Sequence, residues 1–237
     1  GGGGKAPKNE YWTSVSCGAK GLRMEFKSLV STSKKQQLKL AVRIRNKSSK
    51  DTFSNLEFSI TGAPSEWKLK SANTQIAASL APGASEEGVV SLVGPASMGG
   101  PASITCALKY GKGSGLVPEE ATANFDIALP TTTMLMPNPM DMSGFAGICG
   151  NGMMAGASAR IKVKSASDPV GAIAGFTHAR IVERESKKAA SLYAQFPSGD
   201  HVALLVKLKD KSVTIDIKAS VAAHARAIAA DLTNMAL

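Results

Sequence analysis

The sequence predicts an immunoglobulin-like β-sandwich followed by an α+β platform, in which an antiparallel sheet is backed by helices. Three observations lead to this prediction. Apolar and polar residues alternate in short runs through the first half of the chain, as is typical of half-buried strands. After Leu129 and Pro130 the texture changes, and methionines and glycines become frequent. Near the C-terminus, two alternating runs are followed by a run of helical period. We therefore expect the sandwich at 10–129 and the platform at 130–237.

Five alternating runs predict strands of the sandwich. Glycine, proline, asparagine, aspartate and serine cluster between these runs, and such residues favour turns. Short strands bounded by turns indicate an antiparallel sandwich. The residues expected to face its core are Leu22, Met24 and Phe26; Leu38, Leu40, Val42 and Ile44; Leu56, Phe58 and Ile60; Ile104, Cys106 and Leu108; and Phe125, Ile127 and Leu129.

The first part of the platform is expected to contain two strands and one helix. A short strand is expected at Ile161 and Val163. A helix is expected to open at Asp168 and Pro169, because aspartate caps helices and proline fits the first turn. A further strand at Leu192, Ala194 and Phe196 then leads into the turn Pro197–Asp200. Strands and helices in this order predict helices on one face of a small antiparallel sheet.

The end of the platform is expected to be a hairpin covered by a helix. A period of two predicts the hairpin, and from Ser220 a helical period replaces it. The hairpin residues expected to face the core are Val202, Leu204, Val206 and Leu208 in one strand and Val213, Ile215 and Ile217 in the other. The apolar stripe of the helix is expected to contain Val221, Ala225, Ile228, Leu232 and Met235.

Composition predicts a globular protein with substantial cores. The chain has 237 residues, of which 43% are hydrophobic, and its mean hydropathy is −0.01. No apolar run approaches the roughly 20 residues of a membrane-spanning helix. Residues 1–9 begin with four glycines and are expected to be a linker or an expression scar.

Cysteines and charge favour a cytosolic protein with a solvated basic surface. Cys17, Cys106 and Cys149 are odd in number and widely spaced, which fits neither a disulfide framework nor a paired-cysteine metal site. The net charge is +10, whereas aromatic residues make up only 5%. Nucleic-acid binders usually concentrate their charge and interleave aromatic residues. Attraction to acidic peptides or to an anionic membrane face is the alternative to a merely solvated surface.

The residue patterns of catalysis are nearly absent. The three histidines, His178, His201 and His224, stand far apart without a metal-spaced partner. His201 follows Ser198 and Asp200, but that segment lacks a nucleophile elbow and has ordinary turn chemistry. We expect no enzymatic activity, no metal and no cofactor.

The order of these parts resembles the appendage, or ear, of the large subunits of vesicle-coat adaptor complexes. β-type subunits of the adaptor-protein complexes are the most similar, and the γ subunit of the COPI coatomer is next. The resemblance spans about residues 10–237, and the segments that carry it are Gly21–Phe26, Leu40–Ser48, Asn55–Phe58 and Val213–Leu232.

The resemblance implies a non-enzymatic interaction module of membrane trafficking. Appendages capture short linear motifs of accessory or regulatory proteins, while the rest of the full-length chain contacts other adaptor subunits. The implied location is the cytosolic face of Golgi, endosomal or coated-vesicle membranes, with peripheral membrane association through the complex and no nucleic acid bound.

The resemblance also places the peptide site on the platform, beside a helix over Met142–Gly150. Phe145 occupies the position of the family's phenylalanine, and Cys149 stands where a tryptophan is usual. Lys207 and Lys218 fall where basic residues flank the groove. Six methionines crowd 134–154, and half or more of them are expected to be core residues. The predicted peptide-binding residues are Phe145, Ile148, Cys149, Met153, Met154, Lys207 and Lys218.

A second hypothesis belongs to another class of function. The terminal sheet and helix could resemble one half of a TATA-binding protein. In that case the chain would bind the phosphates of a nucleic acid through its basic side chains. Its affinity would fall steeply with salt because counterions are released on binding. Capture of a short peptide in a groove depends only mildly on salt.

Overall fold

The computed structural model describes residues 8–29, 36–113, 118–186 and 188–237. Nine strands form the sandwich: β1 (Thr13–Val15), β2 (Leu22–Leu29), β3 (Gln37–Asn46), β4 (Phe53–Gly62), β5 (Lys68–Ser71), β6 (Asn73–Leu80), β7 (Ser85–Val93), β8 (Ala102–Lys112) and β9 (Glu119–Leu129). They make a five-stranded sheet, in the order β1-β2-β3-β7-β5, and a four-stranded sheet, in the order β6-β4-β8-β9. All of the pairings are antiparallel. The predicted sandwich is thereby confirmed.

The platform begins directly after β9, with a short 3₁₀ helix at Thr131–Met134. Its elements are β10 (Met136–Pro137), α1 (Met142–Gly150), β11 (Ala155–Lys162), α2 (Pro169–Phe176), β12 (Arg180–Ser186), β13 (Ala189–Gln195), β14 (His201–Lys209), β15 (Ser212–Ala219) and α3 (Ala222–Thr233). The strands form one sheet in the order β10-β13-β14-β15-β11, and β12 also pairs with β13. The α+β platform is confirmed as well.

The platform sheet has two unlike faces. Its inner face, with Leu192, Leu204 and Ile217, joins the main core, which also contains residues of α2 and α3. Its outer face carries Tyr193 and Ala203, which pack against Phe145 of α1. The expectation that the helices lie on one face is therefore wrong for α1, because these two residues give the outer face an apolar patch that a helix can cover.

The C-terminal helix starts later than its apolar stripe suggests. Val221 is the N-cap residue and is exposed, whereas Ala225, Ile228 and Leu232 are buried. Val221 is thus wrongly placed in the stripe, because its side chain stands before the first helical turn. Met235 lies beyond the helix end and is nevertheless buried.

The sandwich and the platform share a continuous core. Buried residues of both halves belong to one cluster, and the segment before β1 crosses between them. The amide of Asn9 donates to the backbone oxygen of Ser28 at 3.0 Å, and the ring of Tyr11 meets Phe176 edge to face, with 5.4 Å between centroids. Of the predicted linker 1–9, residues 1–7 lie outside the described residues, and Asn9 is buried.

Among the described residues, no helix is both long enough and apolar enough to cross a membrane.

Candidate functional site

The candidate site lies on the outer face of the platform sheet, beside α1. The carboxylate of Asp141 caps this helix by accepting a hydrogen bond from the amide of Gly144 at 2.7 Å. Phe145 follows in the first turn and points to the sheet. Only 2% of Phe145 is exposed, and it packs against Tyr193 and Ala203, which are neighbours across β13 and β14. Phe145 therefore fixes α1 to the sheet.

Tyr193 lies in the sheet under α1 and packs against Phe145. It is fully buried, and its hydroxyl makes a hydrogen bond of 2.6 Å with Nδ1 of His201. Burial raises the pKa of Tyr193 to about 12, against the opposing effect of hydrogen bonds from Asn138 and Gln195. The phenol is neutral at physiological pH, so Tyr193 contributes packing and a hydrogen bond to the site but no charge.

Around Tyr193 lies an apolar patch that α1 covers only in part. The half-buried residues packed against the Phe145 cluster are Met140, Ile148, Cys149, Val182 and Leu205. Solvent reaches part of these side chains. The patch can therefore accept an apolar side chain of a ligand at the edge of α1.

Lys218 brings positive charge to the border of the apolar patch. It pairs with Ala203 across β14 and β15, so both side chains are on the outer face. Burial raises the pKa of the Cys149 thiol, whereas the positive charge of Lys218 lowers it by a smaller amount. Because burial dominates, Cys149 stays a neutral thiol and serves as a small apolar residue.

The predicted site residues are only partly brought together. Ile148 and Cys149 lie in the apolar patch, next to Lys218. Phe145 is at the centre of the cluster but is sealed beneath the helix. Lys207 is exposed on the same face as Leu205, two residues further along β14.

The methionines of the predicted site lie at the end of α1. Met153 is 90% exposed in the turn that follows the helix, and its amide donates to the side-chain oxygen of Asn151 at 2.9 Å. Met154, in the same turn, is half-buried. Of the six methionines in 134–154, Met134 alone is buried. The expectation that half or more are core residues is wrong, because α1 covers only part of the outer face.

Three residues of the patch were missed by sequence reasoning: Met140, Val182 and Leu205. The signal for Leu205 was present in the sequence, since Ala203 and Leu205 are apolar residues on the face of β14 that also carries lysines. A pair of apolar residues on an otherwise charged face indicates a partly covered patch. Val182 lies in β12, which sequence reasoning did not predict.

The histidines and the Ser198–His201 segment serve packing and turn formation. The hydroxyl of Ser198 donates to the carboxylate of Asp200 at 2.6 Å, Gly199 has a φ of 96°, and His201 contacts Tyr193. His178 and His224 are buried. In the described part of the chain, no three histidine, cysteine, aspartate or glutamate side chains are grouped to hold a metal ion.

Fold and site together give a sandwich joined to a platform whose outer face presents a partly apolar patch. Residues 132–237 match the family described as the AP3 Mu C-terminal domain. This range is the platform almost in full.

Several solved structures are similar to this chain. The structure described as the yeast GGA1_GAE domain-P21 has 16% identity and a TM-score of 0.41, over 51% of this chain and 100% of that chain. The GAE domain of GGA2p from Saccharomyces cerevisiae has 22% identity and a TM-score of 0.38, over 51% of this chain and 99% of that one. The sporulation control protein Spo0M from Bacillus subtilis has 8% identity and a TM-score of 0.27, over 85% and 80%. No curated protein matches this chain.

Proposed function

We propose that the chain is a non-enzymatic interaction module of a vesicle-coat adaptor complex, which recruits accessory or regulatory proteins through short peptide motifs. The observation that carries this proposal is the apolar patch beside α1, with Lys218 at its border, in a half of the chain that matches an adaptor domain. A motif with one or two apolar residues and flanking carboxylates complements such a surface.

The proposal extends to the complex and its place in the cell. The sequence resemblance favours a β-type large subunit, followed by the COPI γ subunit, whereas the matched family is named for a mu subunit. In each case the rest of the full-length chain contacts other adaptor subunits. The module then acts on the cytosolic face of Golgi, endosomal or coated-vesicle membranes, and associates with them peripherally.

The nucleic-acid hypothesis is not favoured. The apolar patch is formed by aliphatic and sulfur-containing side chains, and its aromatic residues, Phe145 and Tyr193, are buried. Bases stack on exposed aromatic rings, and this surface offers none among its described residues.

Cys149 provides a direct test of the peptide site. Cys17 and Cys106 are buried, whereas Cys149 is partly accessible, so a fluorescent maleimide reports on the patch. Immobilised protein is used to select ligands from a library of short peptides with two apolar residues flanked by aspartate or glutamate. We expect the selected peptides to slow the labelling of Cys149. Peptides that bind without changing this rate would place the site elsewhere.

Two variants of α1 provide a matched comparison for the selected peptides. Ile148→Ser removes apolar surface from the patch and should weaken binding about tenfold. Ala146→Ser introduces the same hydroxyl at an exposed position of the same helix and should leave the affinity within about twofold. Circular dichroism checks that both variants are folded. Equal affinities of the two variants would contradict the proposed patch.

A further inference from the structure

The tip of the β14–β15 hairpin lies beside the end of the edge strand β11. Ser212 pairs with Lys209 in β14 and with Lys162 in β11, so three neighbouring strands bring these two lysines to either side of one serine. The amide of Val163 donates to the backbone oxygen of Lys211 at 2.9 Å. This bond fixes the backbone of the hairpin tip to the end of β11.

A cleft of about 930 Å³ opens at this point. Its volume is at the upper end of the roughly 300–1,000 Å³ typical of ligand pockets. The residues that line it are Arg160, Lys162, Val163, Lys164, Lys209, Asp210, Lys211, Ser212 and Thr214. Five of the nine side chains are cationic, and one is anionic.

Within the described residues, the cleft has an excess of positive charge, and its cations form no ion pair with a carboxylate. Arg160 donates from Nε to the hydroxyl of Ser212 at 2.8 Å, which orients the guanidinium but brings no negative charge. A concave surface lined by charge of one sign concentrates ligands of the opposite sign. The cleft therefore fits a ligand with several negative charges.

The shape and lining of the cleft favour a peptide among polyanions. It has a volume that can hold a chain segment between the lysines, whereas a flat membrane surface would meet only the exposed lysines at its rim. It contains no aromatic side chain among its lining residues, so it offers no platform for stacked bases. Val163 and the aliphatic stems of the lysines provide apolar contact for the chain of a peptide.

We propose that this cleft is a second binding site, which takes an acidic segment of a partner protein. It is distinct from the apolar patch beside α1, because the two sites use different residues and different chemistry. A partner with an apolar motif next to an acidic run would contact both sites. Such a partner would gain avidity from the linked contacts.

The test uses the 237-residue chain and two double variants with the same change in charge. Lys209→Glu with Lys211→Glu reverses two exposed charges of the cleft. Lys68→Glu with Lys70→Glu reverses two exposed charges of β5, in the sandwich. The probe is a short fluorescein-labelled peptide rich in glutamate, and its glutamine counterpart is the uncharged control. Fluorescence anisotropy measures the affinity near physiological ionic strength.

We expect the glutamate peptide to bind the wild type and the glutamine peptide not to bind. The cleft variant should lose at least about tenfold in affinity, and the β5 variant less than about threefold, since exposed charges act over a Debye length of about 8 Å. Equal losses in both variants would show attraction by net charge and overturn the proposal. Binding of phosphatidylserine vesicles or of single-stranded DNA, without binding of the glutamate peptide, would also overturn it.

Discussion

Phe145 is the residue on which the attachment of α1 depends. It is the one α1 residue buried in the outer-face cluster, and Tyr193 and Ala203 surround it. Phe145→Ala should lower the free energy of unfolding by about 3 kcal/mol, because it removes a large buried side chain and leaves a cavity. Met142→Ala, at an exposed position of the same helix, should change it by less than about 0.5 kcal/mol. Urea denaturation measures both. An unchanged midpoint for Phe145→Ala would mean that α1 is held by other contacts.

Because Phe145 is buried, a loss of peptide affinity in Phe145→Ala would not identify Phe145 as a ligand contact. In the proposed site, a ligand would meet Ile148 and Cys149 at the edge of the helix and would not reach Phe145, which is buried. A weaker affinity of Phe145→Ala would therefore report a displaced helix. Substitutions at the edge residues separate binding from folding, which is why Ile148 is the better site for the binding test.

At the scale of elements, two helical glycines should respond to the same substitution with opposite signs. A Cβ on Gly175 of α2 would lie 2.6 Å from the backbone oxygen of Lys8 and 3.1 Å from Cα of Asn9. Gly175→Ala should destabilise the fold by about 1–3 kcal/mol, because the N-terminal segment must move away from α2. A Cβ on Gly147 of α1 meets nothing within 4 Å. Gly147→Ala should stabilise the protein by about 0.5–1 kcal/mol.

Thermal unfolding followed by circular dichroism distinguishes these two effects. The expected result is a lower midpoint for Gly175→Ala and a higher one for Gly147→Ala. A Gly175→Ala protein as stable as the wild type would mean that the segment around Asn9 contributes little to the fold.

The elements that could be predicted from sequence are those with a strong apolar alternation. Strands β2, β3, β4 and β8 bury every second residue over much of their length, and β9 shows the same alternation with mostly half-buried residues, so the period of two is visible. Strand β5 is exposed at all four positions, and β12 is exposed over most of its length. Their pairing rests on backbone hydrogen bonds, which leave no trace in the pattern of side chains.

The sequence predicts a position for the candidate site on the platform but not the details of its packing. The helix over Met142–Gly150 and the outer-face position of Lys218 followed from resemblance and alternation. The burial of Phe145 depends on the register that pairs Tyr193 with Ala203, and a register cannot be deduced from one strand alone. The basic cleft is a similar case, because β11 and the hairpin tip are distant in sequence and become neighbours only through pairing with β15.

At the scale of the whole molecule, His178 connects the two halves. It lies in the platform just after α2, and its Nε2 is 2.9 Å from the hydroxyl of Ser28 in the sandwich. Its Nδ1 is 2.9 Å from the backbone oxygen of Leu135. A carbonyl can only accept, so Nδ1 carries the proton and Nε2 accepts from Ser28. The neutral ring thus satisfies both of its neighbours.

Acid should therefore weaken the junction between the two halves. Burial lowers the pKa of His178 from 6.5 to about 4, although its hydrogen bonds act in the opposite direction. Between these two values the unfolded chain binds a proton that the folded protein resists, so stability falls as the pH drops below 6.5 and levels off below about 4. The loss from this group should be roughly 3 kcal/mol.

His178→Asn is the variant that tests this expectation. It retains a donor and an acceptor, tolerates the φ of 52° at this position, and has no proton to gain. Urea unfolding at a series of pH values measures the free energy of unfolding of both proteins. Between pH 6.5 and 4, the wild type should lose roughly 3 kcal/mol more than His178→Asn. The other titrating groups are common to both proteins, so this difference reports His178 alone. Parallel pH profiles of the two proteins would mean that His178 does not control the acid sensitivity of the junction.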